Sequence, residues 1–450
     1  MQTEVLDQNN NSYLWRRFKL AERATNPRRE FLAGLTTFAT MAYVLAVNPA
    51  ILAETDMARP ELLTATALAA GLFSMLMGWM ANLPIAQAPG MGANALFAYT
   101  LVLSQGMPWQ GALGLVFWSG LIFLLLTVTG IRQILLNAFP KNLKHALTVG
   151  IGLFIAFIGV KNAGLVATAP EPLLLSLGDL AAPGLWLALG GLAITIALMQ
   201  MRITGAILIG IILLTGIGLF ISDGGQPITT APEQFIALPE LPMTIFAQLD
   251  LTYVWTHFST ALPGLLTLVF LDLFSSLVAM NAMCNRAGLV DANGDMRNPK
   301  LGLSADALAT MGASVLGTST TNVYAESSAG IESGGRSGLT AVWVGVFFLL
   351  ALFLSPLLLI IPVQATAPAL IIIGVLMFSE VRQLDFTQIT MAAPAVVTIF
   401  LMPITSITDG IAIGLVLYTC TMLLSGRGRE VNWLSYVLAV VFICYYVFAA

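Results

Sequence analysis

Apolar residues recur in runs of about twenty along most of the chain, separated by short polar or Gly/Pro-bearing breaks, and such a run is what a helix needs to cross a bilayer. Cut at its charges, prolines and glycines, the chain predicts spans at 31–52, 62–82, 84–103, 108–130, 144–160, 183–200, 203–221, 258–285, 300–317, 318–334, 337–360 and 364–381. A C-terminal region, 388–449, has room for two or three more. Two of these runs are irregular. "ANLPIAQAPGMGANALFAY" (81–99) is interrupted by Pro84, Pro89, Gly90 and Gly92, while "TSTTNVYAESSAGIESGGRSG" (318–338) carries hydroxyls, glycines and the acids Glu326 and Glu332. Backbone this irregular is tolerated at membrane depth only where protein buries it or a wet cavity runs past it.

The two irregular runs occupy matching places. Displaced by 240 residues, "TATALAAGLFSMLMG" (64–78) lies over "SADALATMGASVLGT" (304–318) with six identities in fifteen positions, and Gly90 falls over Gly330. Further along each half, "PKNLKHALTVGIGLFIAFIG" (140–159) resembles "PVQATAPALIIIGVLMFSEV" (362–381). Seven spans per half, an odd number, make the halves run through the bilayer in opposite senses. Gly/Pro-broken segments paired across two inverted halves point to a transporter's midplane site, with half-helix N-termini turned toward substrate.

Composition agrees with the pattern. With 58% apolar residues, 9% charged residues and a mean hydropathy of +0.87, the chain reads as an integral membrane protein and not a water-soluble globule. Three scattered cysteines and two histidines make neither a disulfide framework nor a metal site, and no hydrolase or zinc-protease motif is present, which argues against an intramembrane enzyme. The N-terminal thirty residues carry six basic residues without a small-residue cleavage site, so they read as a retained cytoplasmic segment. With that end inside, all but two of the 19 Lys and Arg, namely Arg59 and Lys161, fall on inside segments, Arg132 and Arg297 among them. The loop 222–257 holds Asp223, Glu233, Glu240 and Asp250 with no Lys or Arg, as expected of an outside loop. Topology and anionic lipid explain the basic N-terminus, and nucleic acid is not an expected partner.

Carboxyl groups inside the spans need a reason, because a charge near the bilayer centre costs roughly 2.5–3.5 kcal/mol on insertion scales. Asp272 lies in the centre of "GLLTLVFLDLFSSLVAM" and Glu326 in the second broken run. Both are expected to hydrogen-bond a flat polar ligand and to carry a proton, facing each other across an enclosed hollow. Asp306, Glu332 and Asp409 lie nearer predicted ends, as interfacial or capping acids, and Asp385 near an inside loop. Asn94, Thr318, Ser319, Thr320, Thr321 and Asn322 suit a neutral hydrogen-bonding solute.

"PGMGAN" (89–94), "FLDLF" (270–274), "AGLVDANGDM" (287–296), "ADALAT" (305–310) and above all "GTSTTNVYAESSAGIESGGRSGLTA" (317–341) resemble the azaguanine-resistance-like purine permeases, a branch of the nucleobase transporter superfamily. The likeness runs from about residue 15 to 445. It implies an all-α polytopic membrane protein of fourteen transmembrane segments in two inverted repeats of seven, with short strands in broken segments 3 and 10. A core domain (31–130 and 258–360) would move against a gate domain (131–221 and 361–450), after a cytoplasmic segment 1–30 and around an extracellular loop 222–257. The implied activity is proton-driven import of adenine, guanine or hypoxanthine across the cell membrane by alternating access, with no cofactor and with a homodimer as one expected assembly. Asp272 and Glu326 would hold the base, helped by Asn94, by amides following Gly92 and Gly317, and by Thr318, Ser319, Thr320 and Asn322.

Two positions depart from the family pattern. Ser275 stands where a second aspartate is common, and Asn322 where a threonine is common, which bears on proton stoichiometry and substrate preference. Other solutes on the same fold would be uracil, xanthine or an anion such as sulfate or bicarbonate. An anion would favour a nearby cation, and no Lys or Arg lies deep in a proposed span.

Overall fold

Helix starts follow local chemistry. Asn26 accepts a hydrogen bond from the Arg29 amide (2.9 Å) and Pro27 opens α2 (Pro27–Met41). Ser337 and Ser406 cap α13 (Gly338–Ala351) and α16 (Ile407–Leu424) in the same way. The computed structural model describes residues 13–130, 139–168, 175–291, 296 and 299–448. Arg132, Arg297, residues 1–12 of the N-terminal segment, 292–295 of the "AGLVDANGDM" motif, and 131–138, 169–174, 449 and 450 of the expected gate lie outside the described residues.

After a short helix α1 (Tyr13–Phe18), the chain forms α2, α3 (Val44–Leu52) and α4 (Arg59–Ala81). The strand β1 (Gln87–Pro89) leads into α5 (Met91–Ala95), whose continuation, Leu96–Ser104, is wound with π-helical turns. Next come α6 (Trp109–Thr129), α7 (Lys141–Asn162), α8 (Pro183–Gln200) and α9 (Ala206–Gly218). The second half has α10 (Phe258–Arg286), α11 (Pro299–Leu316), the strand β2 (Thr321–Val323) and α12 (Ser327–Glu332). It ends with α13, α14 (Val363–Phe378), α15 (Ile389–Ile404), α16 and α17 (Trp433–Phe448). Region 388–449 therefore holds three helices.

Among the described residues nine helical stretches, the interrupted Pro27–Thr55 one of them, are long and apolar enough to cross a membrane, and four shorter apolar helices accompany them. The chain is a multi-pass membrane protein. Its first span is not one helix: it breaks at Ala42–Tyr43, between α2 and α3, with Pro49 inside α3.

The helices pack in matched pairs. In one group α4 lies on α13, α11 on α6, α2 on α13 and α10 on α6. In the other, α7 packs on α14 and α15, α8 on α9 and α14, and α15 on α16. Glycine permits the closest crossings: a Cβ on Gly78 would stand 2.3 Å from the Gly338 carbonyl, and one on Gly338 2.0 Å from that of Gly78. The offset between the halves is not constant. β2 begins 234 residues after β1 (321 − 87), because α11 is shorter than α4, so the 240-residue displacement that set Gly90 over Gly330 does not hold through the broken segments.

Candidate substrate site

The two broken segments meet. β1 and β2 pair antiparallel, with Gln87 opposite Val323, Ala88 opposite Asn322 and Pro89 opposite Thr321. The Gly90 amide donates to the Thr320 carbonyl (2.9 Å) and the Tyr324 amide to that of Ala86 (3.1 Å), extending the ladder. A two-stranded ribbon has outer edges that must be satisfied at membrane depth. Ser74 of α4 does this for Gln87, donating to its carbonyl (3.0 Å) and accepting from its amide (2.9 Å). Thr310 of α11 donates to the Thr321 carbonyl (3.2 Å), and Ser327 accepts from the Ala86 amide (3.0 Å).

The crossing places the expected residues in three groups. In the first, Ser319 donates to Asn94 Oδ1, both side chains fully buried, and Asn94 Nδ2 reaches the Met91 sulfur (3.8 Å). Thr318 is bonded by Asn48, whose Nδ2 also reaches Thr66 (2.6 Å), so Thr318 is tied into the helix packing. Gly92 is buried against Ile151 of α7: a Cβ there would lie 2.8 Å from the isoleucine Cγ2.

The second group surrounds Asp272, in the middle of α10. In the orientation that satisfies its amide, Asn322 donates from Nδ2 to Asp272 Oδ1 (3.2 Å) and to the Thr321 carbonyl (2.9 Å). The hydroxyls of Thr320 and of Ser119, which donates to the Val116 carbonyl (2.8 Å), lie near enough to influence the Asp272 carboxyl, as does the acid Asp306. Here the structure corrects the sequence reading, which placed Asp306 as an interfacial or capping acid. Asp306 is fully buried and accepts from Gln87 Nε2 (2.6 Å). Asp272 Oδ2 and Asp306 Oδ2 are buried without a hydrogen bond of ordinary geometry among the described residues, and the Thr320 and Ser276 hydroxyls that face these two acids make none either. This is a concentration of unsatisfied polar atoms that a structural core avoids. Ser275 turns back on its own helix, donating to the Leu271 carbonyl (2.7 Å).

The third group surrounds Glu326, which is half-buried at the start of α12. The Tyr43 hydroxyl donates to Glu326 Oε1 (2.6 Å) and Thr40 Oγ1 to its carbonyl (3.4 Å). Tyr324, electrostatically coupled to Glu326, donates to the Pro89 carbonyl (2.6 Å). Asp272 and Glu326 thus have separate immediate partners, Asp306 for one and two tyrosines for the other. Of the remaining acids, Glu332 is exposed and pairs with Arg286 (3.2 Å), and Asp409 accepts from Ser406 (2.6 Å) and Tyr446 (2.6 Å) at the start of α16. Asp385 is exposed.

On the α7 side, the Phe139 ring lies 4.6 Å from Phe270 and 5.5 Å from Phe274, and Lys144 Nζ stands 5.3 Å over Phe274. Sequence reasoning missed Tyr43, Gln87 and Ser119 as members of the site. Gln87 had a legible signal, an amide inside a broken apolar run, whereas a tyrosine in a first span reads as an ordinary interface aromatic.

A multi-pass membrane protein with two interrupted segments crossed at a buried polar centre is a transporter, not an enzyme. The model of the Permease family (Xan_ur_permease) matches residues 28–413, and the chain belongs to that family. It is 38% identical over 439 residues to adenine permease AdeQ of Escherichia coli (strain K12), covering 96% of each chain. It is 41% identical over 449 residues to guanine/hypoxanthine permease PbuG of Bacillus subtilis (strain 168), covering 96% of this chain and 99% of that one. Among solved structures, the transmembrane domain of the cyanobacterium bicarbonate transporter BicA superposes with a TM-score of 0.61 at 15% identity, covering 86% of this chain and 97% of the other. Murine Slc26a9, an anion transporter in the inward-facing state, does so at 0.59 and 11% identity, covering 88% and 68%. At these identities the likeness shows the fold alone.

Proposed function

We propose that the chain is a purine base:proton symporter of the cell membrane, importing adenine, guanine or hypoxanthine by alternating access. The observation that carries this reading is the β1–β2 crossing, beside which Ser319 meets Asn94 and Asn322 meets Asp272, while Glu326 opens the helix that follows β2. The relatives named for adenine and for guanine/hypoxanthine match over nearly their whole length, which supports the substrate class. In this reading Glu326 receives the ring N–H groups of the base, Asp272 takes the proton, and the proton gradient supplies the driving force with no cofactor.

The matched packing of α4 on α13 with α11 on α6, and of α8 on α14 with α15 on α7, supports two inverted repeats of seven segments. The helix α17 then stands outside the repeat, against α16 and α10. On this scheme residues 31–130 and 258–360 form the core, 131–221 and 361–450 the gate, the N-terminus is cytoplasmic and 222–257 is extracellular. Contact with membrane lipid and assembly as a homodimer belong to the same proposal.

An anion substrate on this fold is disfavoured, because among the described residues no Lys or Arg is found among the groups that hydrogen-bond Asp272, Glu326, Asn94 and Asn322, and two of these four are themselves acids. Uptake of labelled adenine, guanine, hypoxanthine, xanthine and uracil, in transport-deficient cells and in vesicles with an imposed pH gradient, tests the proposal. Normal uptake by Asp272→Asn together with Glu326→Gln would refute the residue assignments. Uptake insensitive to the gradient would refute the coupling.

A further inference from the structure

We propose that Tyr43 is a positioning residue for Glu326: its phenol occupies one carboxylate oxygen and so fixes the direction in which the other meets the base. The inference rests on the purine reading above. A carboxylate accepts hydrogen bonds at two oxygens, while a phenol has one proton to give. The Tyr43 hydroxyl gives it to Glu326 Oε1 at 2.6 Å, and Tyr43 is itself 2% exposed. The break at Ala42–Tyr43 sets the tyrosine between α2 and α3, beside the interrupted backbone of the second half.

Glu326 does not spend its side chain on capping α12, although it stands at the capping position. It reaches across to the first span instead. Thr40, on the preceding turn, donates to the Glu326 carbonyl, so backbone and side chain are both held from α2 and its end. Tyr324 is committed elsewhere, to the Pro89 carbonyl, which leaves Tyr43 as the phenol that orients the carboxylate. A carboxylate fixed before the ligand arrives loses less freedom on binding, and it favours the base whose N–H edge matches its direction.

The alternative is a tether that joins the first span to β2 and α12 with no bearing on the ligand. Tyr43→Phe removes one hydroxyl and separates the two ideas. With labelled adenine, guanine and hypoxanthine, the KM of the best-transported base rises about tenfold while carrier amount and Vmax are maintained. The KM ratio between best and poorest base narrows. Glu326→Asp, which withdraws the carboxylate from the phenol, gives the same narrowing, and adding Tyr43→Phe to it changes nothing further. An unchanged KM, a loss confined to Vmax, an equal KM rise for every base, or independent effects of the two substitutions overturns the proposal. If Tyr43→Phe does not accumulate in the membrane, the Glu326→Asp selectivity decides alone. Wild-type cells that take up none of the three bases refute the purine reading and this proposal with it; normal wild-type uptake with an unaffected Tyr43→Phe refutes this proposal only.

Discussion

Gly152 on α7 and Gly374 on α14 meet backbone to backbone: a Cβ on Gly152 would stand 2.7 Å from the Gly374 carbonyl oxygen, and one on Gly374 2.5 Å from that of Gly152. Neither obstacle is a side chain that can rotate away. Alanine at either position forces the helices apart, at a cost of about 1–3 kcal/mol by analogy with overpacked cores. The expected result is a lower melting temperature for Gly152→Ala and Gly374→Ala in detergent and reduced uptake. Gly216→Ala on α9, where a Cβ meets nothing within 4 Å, serves as the harmless control. Equal melting of all three proteins would count against the close crossing.

A second prediction concerns the space beside β1. A Cβ at Gly90 would lie 2.3 Å from the end of the Asn322 amide and 2.9 Å from its Cγ. Gly90→Ala is expected to displace that amide from Asp272 and lower uptake at least about tenfold, the worth of a hydrogen bond to a charged group. Adding Asn322→Ala removes the clash, so the melting temperature recovers while uptake does not. Recovery of both would show that the amide contact is dispensable.

Glu30 is fully buried and faces only donors. It accepts from Thr25 Oγ1 (2.7 Å), the amides of Arg336 (3.0 Å), Ser337 (3.2 Å) and Thr340 (3.2 Å), and Thr340 Oγ1 (2.5 Å), at the start of α13. A carboxylate suits that place twice, as an acceptor and as the negative partner of a helix N-terminus. Glu30→Gln puts an NH2 group among donors and is expected to destabilise the carrier by about 2–3 kcal/mol. Thermal melting checks this, and an unchanged midpoint would be a failure.

The loop 222–257 carries an acid-sensitive contact. The Thr252 hydroxyl (2.6 Å) and amide (2.9 Å) donate to Asp250 Oδ1 and hold that carboxyl below its usual range. The Asp250 amide docks the loop on the Gln110 carbonyl of α6 (2.8 Å). With a folded pKa below the unfolded one, the contribution is present above about pH 4 and fades as pH falls through the folded value. Acid is therefore expected to raise protease sensitivity in the loop, and Thr252→Val to move the onset to higher pH. Coincident onsets in the two proteins would exclude this contact.

The nine long apolar stretches found among the described residues were legible in the sequence because lipid dictates the length of an apolar run. The displacement that matched 140–159 with 362–381 put Gly152 over Gly374, the two glycines that touch. Other features left no trace. The break at Ala42–Tyr43 contains neither glycine nor proline, and three-residue strands are too short for periodicity, so the strands were expected only from resemblance. Asp306 looked peripheral because the small residues of α11 do not mark where that helix is buried. The partners of Glu326 come from the first span, far away in sequence, and no local pattern announces such a meeting.

The ladder between Gln87–Pro89 and Thr321–Val323 sets an order of biogenesis. A ribosome that has inserted only the first half has made one strand with no mate, its edge satisfied on the Ser74 side and open on the other. Closure over so long a separation is slow, and it waits until the chain beyond Val323 has entered the membrane. Binding competence in this carrier therefore arrives late in synthesis, and a fragment ending after the first half is expected to insert without ever acquiring it.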